Sequence, residues 1–237
     1  MSSDSMSPAG KQFTQVIYTE RLILRRLCAT DAEYLLPILS NPDSMQWLND
    51  TVRRRTIQGT QEWIDERLAR PGLDTFLVEL LSTTQATTTD HQAGKDVNQE
   101  GSFREVIGVI GSPDIPRIGY IFHAKYFGKG YATEALKAYM NSYWNRVPPV
   151  SSGESGSFDF ACAATDVDNT PSRRLLEKCG FSLQRIGKES YDNPSKGGLR
   201  DDAVYAIFRP GTHEDGASLL ATDEWKDMSV RVTTRTG

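Results

Sequence analysis

Few residues of this sequence are of the kinds that build disulfide frameworks or metal sites. It contains three cysteines and three histidines in 237 residues. Cys28, Cys162 and Cys179 cannot all pair, and none stands at metal-ligand spacing from another Cys or His. We therefore expect no metal, and reduced core thiols in a cytoplasmic protein, with a nuclear location as the alternative.

Long apolar runs and a large charge of either sign are absent as well. No stretch approaches the roughly 20 apolar residues that a membrane helix needs, and the N-terminal residues predict no signal peptide. The 27 Lys and Arg against 31 Asp and Glu give a formal net charge of -4. Such a chain has no general attraction to nucleic acid or to anionic membranes, so we expect neither as a partner.

Composition separates polar segments from a long region of apolar patterning. Residues 1–13 are small and polar, and we expect a disordered tail there. Residues 82–101 and 147–156 are rich in Thr, Ser, Gly or Pro and offer little to bury, so we predict two polar loop insertions. The interpretation that follows is a single domain over 14–209, with a C-terminal extension over 210–237.

Hydrophobic periodicity within that region predicts a mixture of strands and helices. Strands are predicted over 21–27, 75–81, 104–111, 116–122, 158–164, 181–187 and 203–209, and helices over 31–40, 57–70, 130–146 and 170–180. The helix over 130–146 has the clearest apolar face. This order predicts an α/β fold of mixed α+β type, with a twisted mixed sheet of six to seven strands and helices on both faces.

A glycine turn joins the strand over 116–122 to the helix over 130–146. Gly128 and Gly130 let the backbone bend so that successive N–H groups converge, and the helix N-terminus adds positive potential. These features suit a phosphate-bearing ligand. The spacing matches neither the P-loop nor the dinucleotide-binding motif. Taken alone, the turn is equally compatible with a tight strand-to-helix connection that binds nothing.

Three segments in order resemble the GNAT superfamily of N-acetyltransferases. Gly128-Lys129-Gly130-Tyr131-Ala132-Thr133-Glu134-Ala135-Leu136, preceded by Gly119-Tyr120-Ile121-Phe122-His123, is similar to its coenzyme A (CoA) motif. Asn169-Thr170-Pro171-Ser172 with Glu177-Lys178-Cys179-Gly180-Phe181 resembles its second signature, and Thr19-Glu20-Arg21-Leu22 resembles the start of the RimJ/RimL-type branch of ribosomal-protein acetyltransferases. The resemblance covers about 19–209 and implies the GNAT fold and an acetyl-CoA-dependent N-acetyltransferase.

The resemblance also implies where acetyl-CoA would bind. In the family, the strand before the glycine turn splays from its neighbour, and the pantetheine arm lies in the gap. The positions that match the family's backbone contacts to pantetheine are Ile121, Phe122 and His123. Those that match its pyrophosphate turn are Gly128, Lys129, Gly130, Tyr131, Ala132 and Thr133. Asn169 and Ser172 match positions that face the pantetheine arm.

Two positions depart from the family pattern. Phe127 stands where the family prefers Gln or Arg, which predicts weaker coenzyme affinity. Leu176 stands where many members have a tyrosine that protonates the departing thiolate. Ser172 is therefore our candidate catalytic acid, with water or another residue as alternatives. Glu20, Asp114, Glu189 and His123 are the candidates for the base that deprotonates the amine.

The acceptor is the least determined part of the function. The resemblance to the ribosomal-protein branch favours a protein N-terminal α-amine, bound by a monomer or homodimer. A small-molecule amine, such as a polyamine, an antibiotic or a metabolite, is the alternative. Phe127 and Leu176 leave room for a catalytically weak CoA sensor. We also predict a turn-rich loop over 191–198 that shapes the acceptor site.

Overall fold

The computed structural model describes residues 16–48, 56–70, 74–81 and 105–212. Its strands are β1 (Val16–Tyr18), β2 (Leu22–Arg26), β3 (Asp74–Leu80), β4 (Val106–Asp114), β5 (Arg117–Phe122), β6 (Phe160–Asp166), β7 (Ser182–Asn193) and β8 (Gly198–Phe208). Its helices are α1 (Ala32–Leu39), α2 (Pro42–Met45), α3 (Ile57–Leu68), α4 (Tyr131–Arg146) and α5 (Thr170–Lys178). The predicted tail over 1–13, the insertion over 82–101 and the extension beyond 212 lie outside the described residues.

The strands form one mixed sheet in the order β1-β2-β3-β4-β5-β6-β8-β7. Neighbours run antiparallel except β5 and β6, which are parallel. The predicted mixed α/β architecture is confirmed. The sheet has eight strands in the described residues, whereas six to seven were predicted. The additional strand, β1, has only three residues and forms by pairing with β2, so its own alternation was too short to detect.

Apolar side chains cover both faces of the sheet, as predicted. Helices α4 and α5 pack on one face, and α1 and α3 pack on the other. The predicted apolar face of α4 is confirmed, with Leu136, Tyr139 and Tyr143 fully buried. Strand β5 lies between the two cores: Phe122 packs towards α4, and Ile121 packs towards α1.

The last two strands form a hairpin that is longer than predicted. Tyr191 still lies in β7, and Gly198 already begins β8, so the predicted loop over 191–198 is shortened to 194–197. The bend is the 3-10 turn Pro194–Lys196 followed by Gly197. Two register shifts in β7 explain the error, because each interrupts the alternation that marks a strand. At the second shift Glu189 has a φ of 47°.

The hairpin tip contacts α2, a four-residue helix that the sequence pattern did not reveal. Asn41 caps α2 by accepting a hydrogen bond from the Ser44 N–H. Lys196 Nζ donates to Gln46 Oε1 at 3.0 Å and lies 4.2 Å from the centroid of the Trp47 ring. These contacts place the tip of the hairpin beside the C-terminal end of α2.

Candidate functional site

A gap opens in the sheet between β5 and β6. Among the described residues these strands share one register pair, Arg117 with Cys162, and the Cys162 N–H donates to the Pro116 carbonyl at 3.0 Å. Beyond that pair the two strands separate towards the C-terminal end of β5. On its other side, β5 pairs with β4 as far as Phe122. One edge of β5 therefore faces the gap with unpaired backbone.

The direction of the backbone groups on β5 follows from two hydrogen bonds. The Pro116 carbonyl faces β6, and the His123 N–H donates to the Ile107 carbonyl on β4 at 2.9 Å. Because alternate residues of a strand face opposite neighbours, the N–H and C=O groups of Tyr120 and Phe122 point into the gap. Three residues were predicted to contact pantetheine. The backbone groups of Phe122 point into the gap, whereas the backbone groups of Ile121 and His123 point towards β4.

The glycine turn connects this edge to the N-terminus of α4. Gly128 and Gly130 have φ values of 74° and 81°, in the left-handed region that favours glycine. Gly130 is the N-cap of the 16-residue helix, and no side chain in the described residues caps that end. The N–H groups of Tyr131, Ala132 and Thr133 are therefore left for an anion, which the helix dipole also favours.

A carboxylate in the first turn of α4 ties the glycine turn to the start of β2. Glu134 accepts hydrogen bonds from the Thr19 hydroxyl at 2.6 Å and from the Arg21 N–H at 2.9 Å. The Arg21 guanidinium pairs with Glu134 at 2.7 Å and donates to the Lys129 carbonyl at 3.2 Å. The segment that begins at Thr19 and the segment that contains the glycine turn, which both resemble signatures of the family, are thus in direct contact. Sequence reasoning missed this pairing because 113 residues separate Arg21 from Glu134.

This ion pair predicts a pH dependence of stability. Burial alone would raise the pKa of Glu134, but hydrogen bonds from Thr19 and Arg21 outweigh it and lower that pKa. A lowered pKa in the folded state stabilises the fold above the unfolded value of about 4.3, and this is lost as pH falls through the folded value. We expect the melting temperature of Glu134→Gln to fall less than that of the wild type between about pH 6 and about pH 3. An equal fall in melting temperature in the two proteins would contradict this role of Glu134.

The N-terminus of α5 places Ser172 against β5. Asn169 accepts a hydrogen bond from the Ser172 N–H at 3.3 Å and donates to the Thr165 hydroxyl at 3.1 Å. The Ser172 Oγ lies 2.7 Å from the Tyr120 hydroxyl. Burial raises the pKa of Tyr120, although the hydrogen bond with Ser172 acts in the opposite direction. The sequence placed Tyr120 in the segment that resembles the coenzyme A motif but assigned no role to its side chain, because its pairing with α5 has no local signal.

The remaining candidates lie in different surroundings. Leu176 is fully buried. Arg173, in the first turn of α5, donates to the Tyr205 hydroxyl and the Val167 carbonyl. Asp114 pairs with Arg117 at the beginning of β5, so it lies at the far end of the strand from His123.

Among the other base candidates, Glu20 and Glu189 are exposed. The Nδ1 atom of His123 accepts a hydrogen bond from the Lys125 N–H at 3.1 Å. A neutral His123 ring in this arrangement carries its proton on Nε2, where it can donate but cannot accept. The geometry therefore favours a water chain, or a carboxylate, over His123 as the base.

The described ranges contain neither a metal-binding cluster nor a membrane-spanning helix. Over 16–48, 56–70, 74–81 and 105–212, no group of three or more His, Cys, Asp or Glu could hold a metal ion. None of the helices in those ranges combines the length and apolarity required to cross a membrane. The cysteines are free, with Cys162 and Cys179 buried. Cys28 is exposed, so the prediction of a core thiol was wrong there.

Comparison with protein families identifies one match. The model described as an acetyltransferase (GNAT) domain matches residues 21–182. Among curated proteins, the chain is 23% identical over 201 residues to "Uncharacterized N-acetyltransferase p20" of Bacillus licheniformis, covering 82% of this chain and 97% of that protein.

Solved structures show the same fold at low sequence identity. One is RimL, a ribosomal L7/L12 α-N-protein acetyltransferase in complex with coenzyme A. It is 17% identical to this chain with a TM-score of 0.63, and the match covers 84% of this chain and all of that chain. Another is the microcin C7 self-immunity acetyltransferase MccE in complex with acetyl-CoA and AMP. It is 17% identical to this chain with a TM-score of 0.59, and the match covers 80% of this chain and 93% of that chain.

Proposed function

This chain belongs to the GNAT acetyltransferase family and is an N-acetyltransferase, and from that premise we propose direct transfer of acetyl from acetyl-CoA to a primary amine bound in the same complex. The observation that carries the proposal is the gap between β5 and β6 beside the uncapped N-terminus of α4. Acetyl-CoA suits both features, because its extended pantetheine arm would lie in the gap and its pyrophosphate would lie at the helix N-terminus. We also propose that residues 14–209 form one catalytic domain.

The residues available in this region suit each part of acetyl-CoA. The backbone groups of Tyr120 and Phe122 can pair with the pantetheine amides as a neighbouring strand would. The turn from Gly128 to Thr133 would hold the pyrophosphate through N–H groups, with Lys129 adding positive charge. Asn169 and Ser172 would contact the pantetheine arm from α5. Phe127 is half exposed, so the pyrophosphate would depend on the backbone rather than on a side chain at that position.

The chemistry requires three contributions from the protein. A backbone N–H facing the gap stabilises the oxygen of the acetyl carbonyl as it gains negative charge. A base or water chain removes the proton from the attacking amine. Ser172 supplies a proton to the departing thiolate, because Leu176 has no proton to donate. The first contribution comes from the edge of β5 and the third from the first turn of α5, on either side of the gap.

For the acceptor, we propose a protein N-terminal α-amine. A cavity of about 230 Å³ lies between α2 and the hairpin tip, lined by Asn41, Asp43, Gln46, Ser195 and Lys196 with apolar residues beneath. Asp43 and Ser195 are exposed, so the cavity opens to solvent. Its lining has charges of both signs, which suits a peptide end better than a polycation. The likeness in fold to RimL supports the same choice.

Thiol release from acetyl-CoA across matched panels of peptides and polyamines tests this proposal. We expect turnover with peptides that have a free α-amine, and none with the same peptides blocked at that amine. Turnover with polyamines alone would contradict the peptide acceptor. Thermal stabilisation by acetyl-CoA without turnover on any amine would instead indicate a CoA sensor.

A further inference from the structure

We propose that Tyr120 is a positioning residue for the reaction: it donates a hydrogen bond to Ser172 and so directs the Ser172 proton to the departing thiolate. This inference rests on the proposed function, since it concerns the same gap. It gives a role to the side chain of Tyr120, which the motif resemblance included only as part of a strand. The observation behind it is the 2.7 Å contact between the Tyr120 hydroxyl and the Ser172 Oγ.

The location of the pair suits this role. Tyr120 lies on the part of β5 that has separated from β6, and its backbone borders the gap. Ser172 lies in the first turn of α5, where Asn169 holds its backbone N–H. The hydroxyl of Ser172 is therefore fixed from two directions, by the cap at its backbone and by the phenol at its side chain. A group held in this way loses little freedom when a ligand arrives.

Acidity decides which hydroxyl donates. A phenol is a stronger acid than an aliphatic alcohol, so the favoured arrangement has the Tyr120 O–H donating to Ser172 Oγ. Burial raises the pKa of Tyr120, which keeps its proton in place at neutral pH. The hydroxyl of Ser172 has one donor and can accept as well. With Tyr120 donating to it, its own O–H is free to point at a third atom.

In the proposed step, the amine nitrogen forms a bond to the acetyl carbon, the carbon–sulfur bond breaks, and the sulfur keeps the electron pair of the broken bond. The Ser172 proton passes to sulfur while the Tyr120 proton passes to Ser172 Oγ, because a serine alkoxide is a stronger base than a phenolate. Solvent then returns a proton to Tyr120, and the amine releases one to its base. No oxidant, metal or further reactant is needed.

Kinetics of Tyr120→Phe, Ser172→Ala and the double variant test the proposal, using the best acceptor from the peptide panel. We expect kcat to fall about 100-fold for Ser172→Ala and about 10-fold for Tyr120→Phe, with KM for acetyl-CoA nearly unchanged in Tyr120→Phe. The double variant should be no slower than Ser172→Ala, since Tyr120 acts through Ser172. Tyr143→Phe is the matched control: its buried hydroxyl has no hydrogen-bond partner among the described residues, and its kcat should equal that of the wild type.

A second measurement needs no acceptor. Titrating the thiolate absorbance of bound CoA gives the pKa of its thiol, which a hydrogen bond to the charged form lowers. We expect both single variants to raise that pKa by about 1. An increase in KM for acetyl-CoA with unchanged kcat and unchanged thiol pKa would overturn the proposal and make the pair a binding contact. Failure of the wild type to bind CoA by calorimetry would instead overturn the proposed function itself.

Discussion

Replacing Gly130 with valine is expected to abolish acetyl-CoA binding while the chain stays folded. Gly130 has a φ of 81°, and a residue with a side chain costs about 1–3 kcal/mol in the left-handed region. Valine relieves that strain by changing the turn, which redirects the N–H groups that would hold the pyrophosphate. Loss of two charge-assisted hydrogen bonds predicts a dissociation constant at least about 100-fold higher. Calorimetric titration with acetyl-CoA measures it.

Gly153→Val is the matched control for this prediction. Gly153 has a φ of 70°, and a Cβ there meets nothing within 4 Å. It lies after the 3-10 turn Val150–Ser152, in the connection between α4 and β6. Both variants should lose similar stability, but the control should keep wild-type affinity for acetyl-CoA. Equal affinity in the two variants would show that the glycine turn does not bind the coenzyme.

Replacing Gly111 with alanine is expected to unfold a large fraction of the protein. A Cβ at Gly111 would overlap the Asp74 carbonyl oxygen and lie 2.7 Å from the Thr75 Cα. These are backbone atoms of the paired strand β3, which cannot move aside as a flexible side chain would. Moving them would also disturb Asp74, which accepts a hydrogen bond from Tyr139 and pairs with Arg26 and Arg146. We expect a loss of at least about 3 kcal/mol in unfolding free energy.

Gly119→Ala provides the comparison, because Gly119 is directly opposite Gly111 in the β4–β5 pair. A Cβ at Gly119 would lie 3.7 Å from its nearest neighbour, the Pro113 side chain, in ordinary contact. Its effect should stay within about 1 kcal/mol. Urea unfolding of both variants measures the difference. If Gly111→Ala unfolds at the wild-type urea concentration, the close approach of β3 and β4 is wrong.

Local pattern was sufficient to predict the elements that lie nearest the site. The apolar face of α4 and the strand β5 each follow from a few neighbouring residues. The turn that begins α4 was found in the same way. Strand β1 and the far half of the β7–β8 hairpin could not be predicted, because the pairing partner and the register shifts determine them.

The site itself was only partly predictable. The resemblance indicated the glycine turn and Ser172, but it could not identify contacts between distant segments. Arg21 with Glu134 and Tyr120 with Ser172 lie 113 and 52 residues apart, and each pair meets only because the sheet and helices bring them together. The direction of the N–H and C=O groups along β5 could be determined only from the observed strand pairing, because a register shift of one residue changes which of these groups face the gap.

We propose that this chain transfers acetyl from acetyl-CoA to a peptide α-amine. Mass spectrometry of one peptide, incubated with acetyl-CoA and either the wild type or Gly130→Val, tests it most directly. We expect the wild type to add one acetyl group, fragmentation to locate it on the N-terminal nitrogen, and Gly130→Val to add none. An unmodified peptide, or acetylation confined to lysine side chains, would contradict the claim.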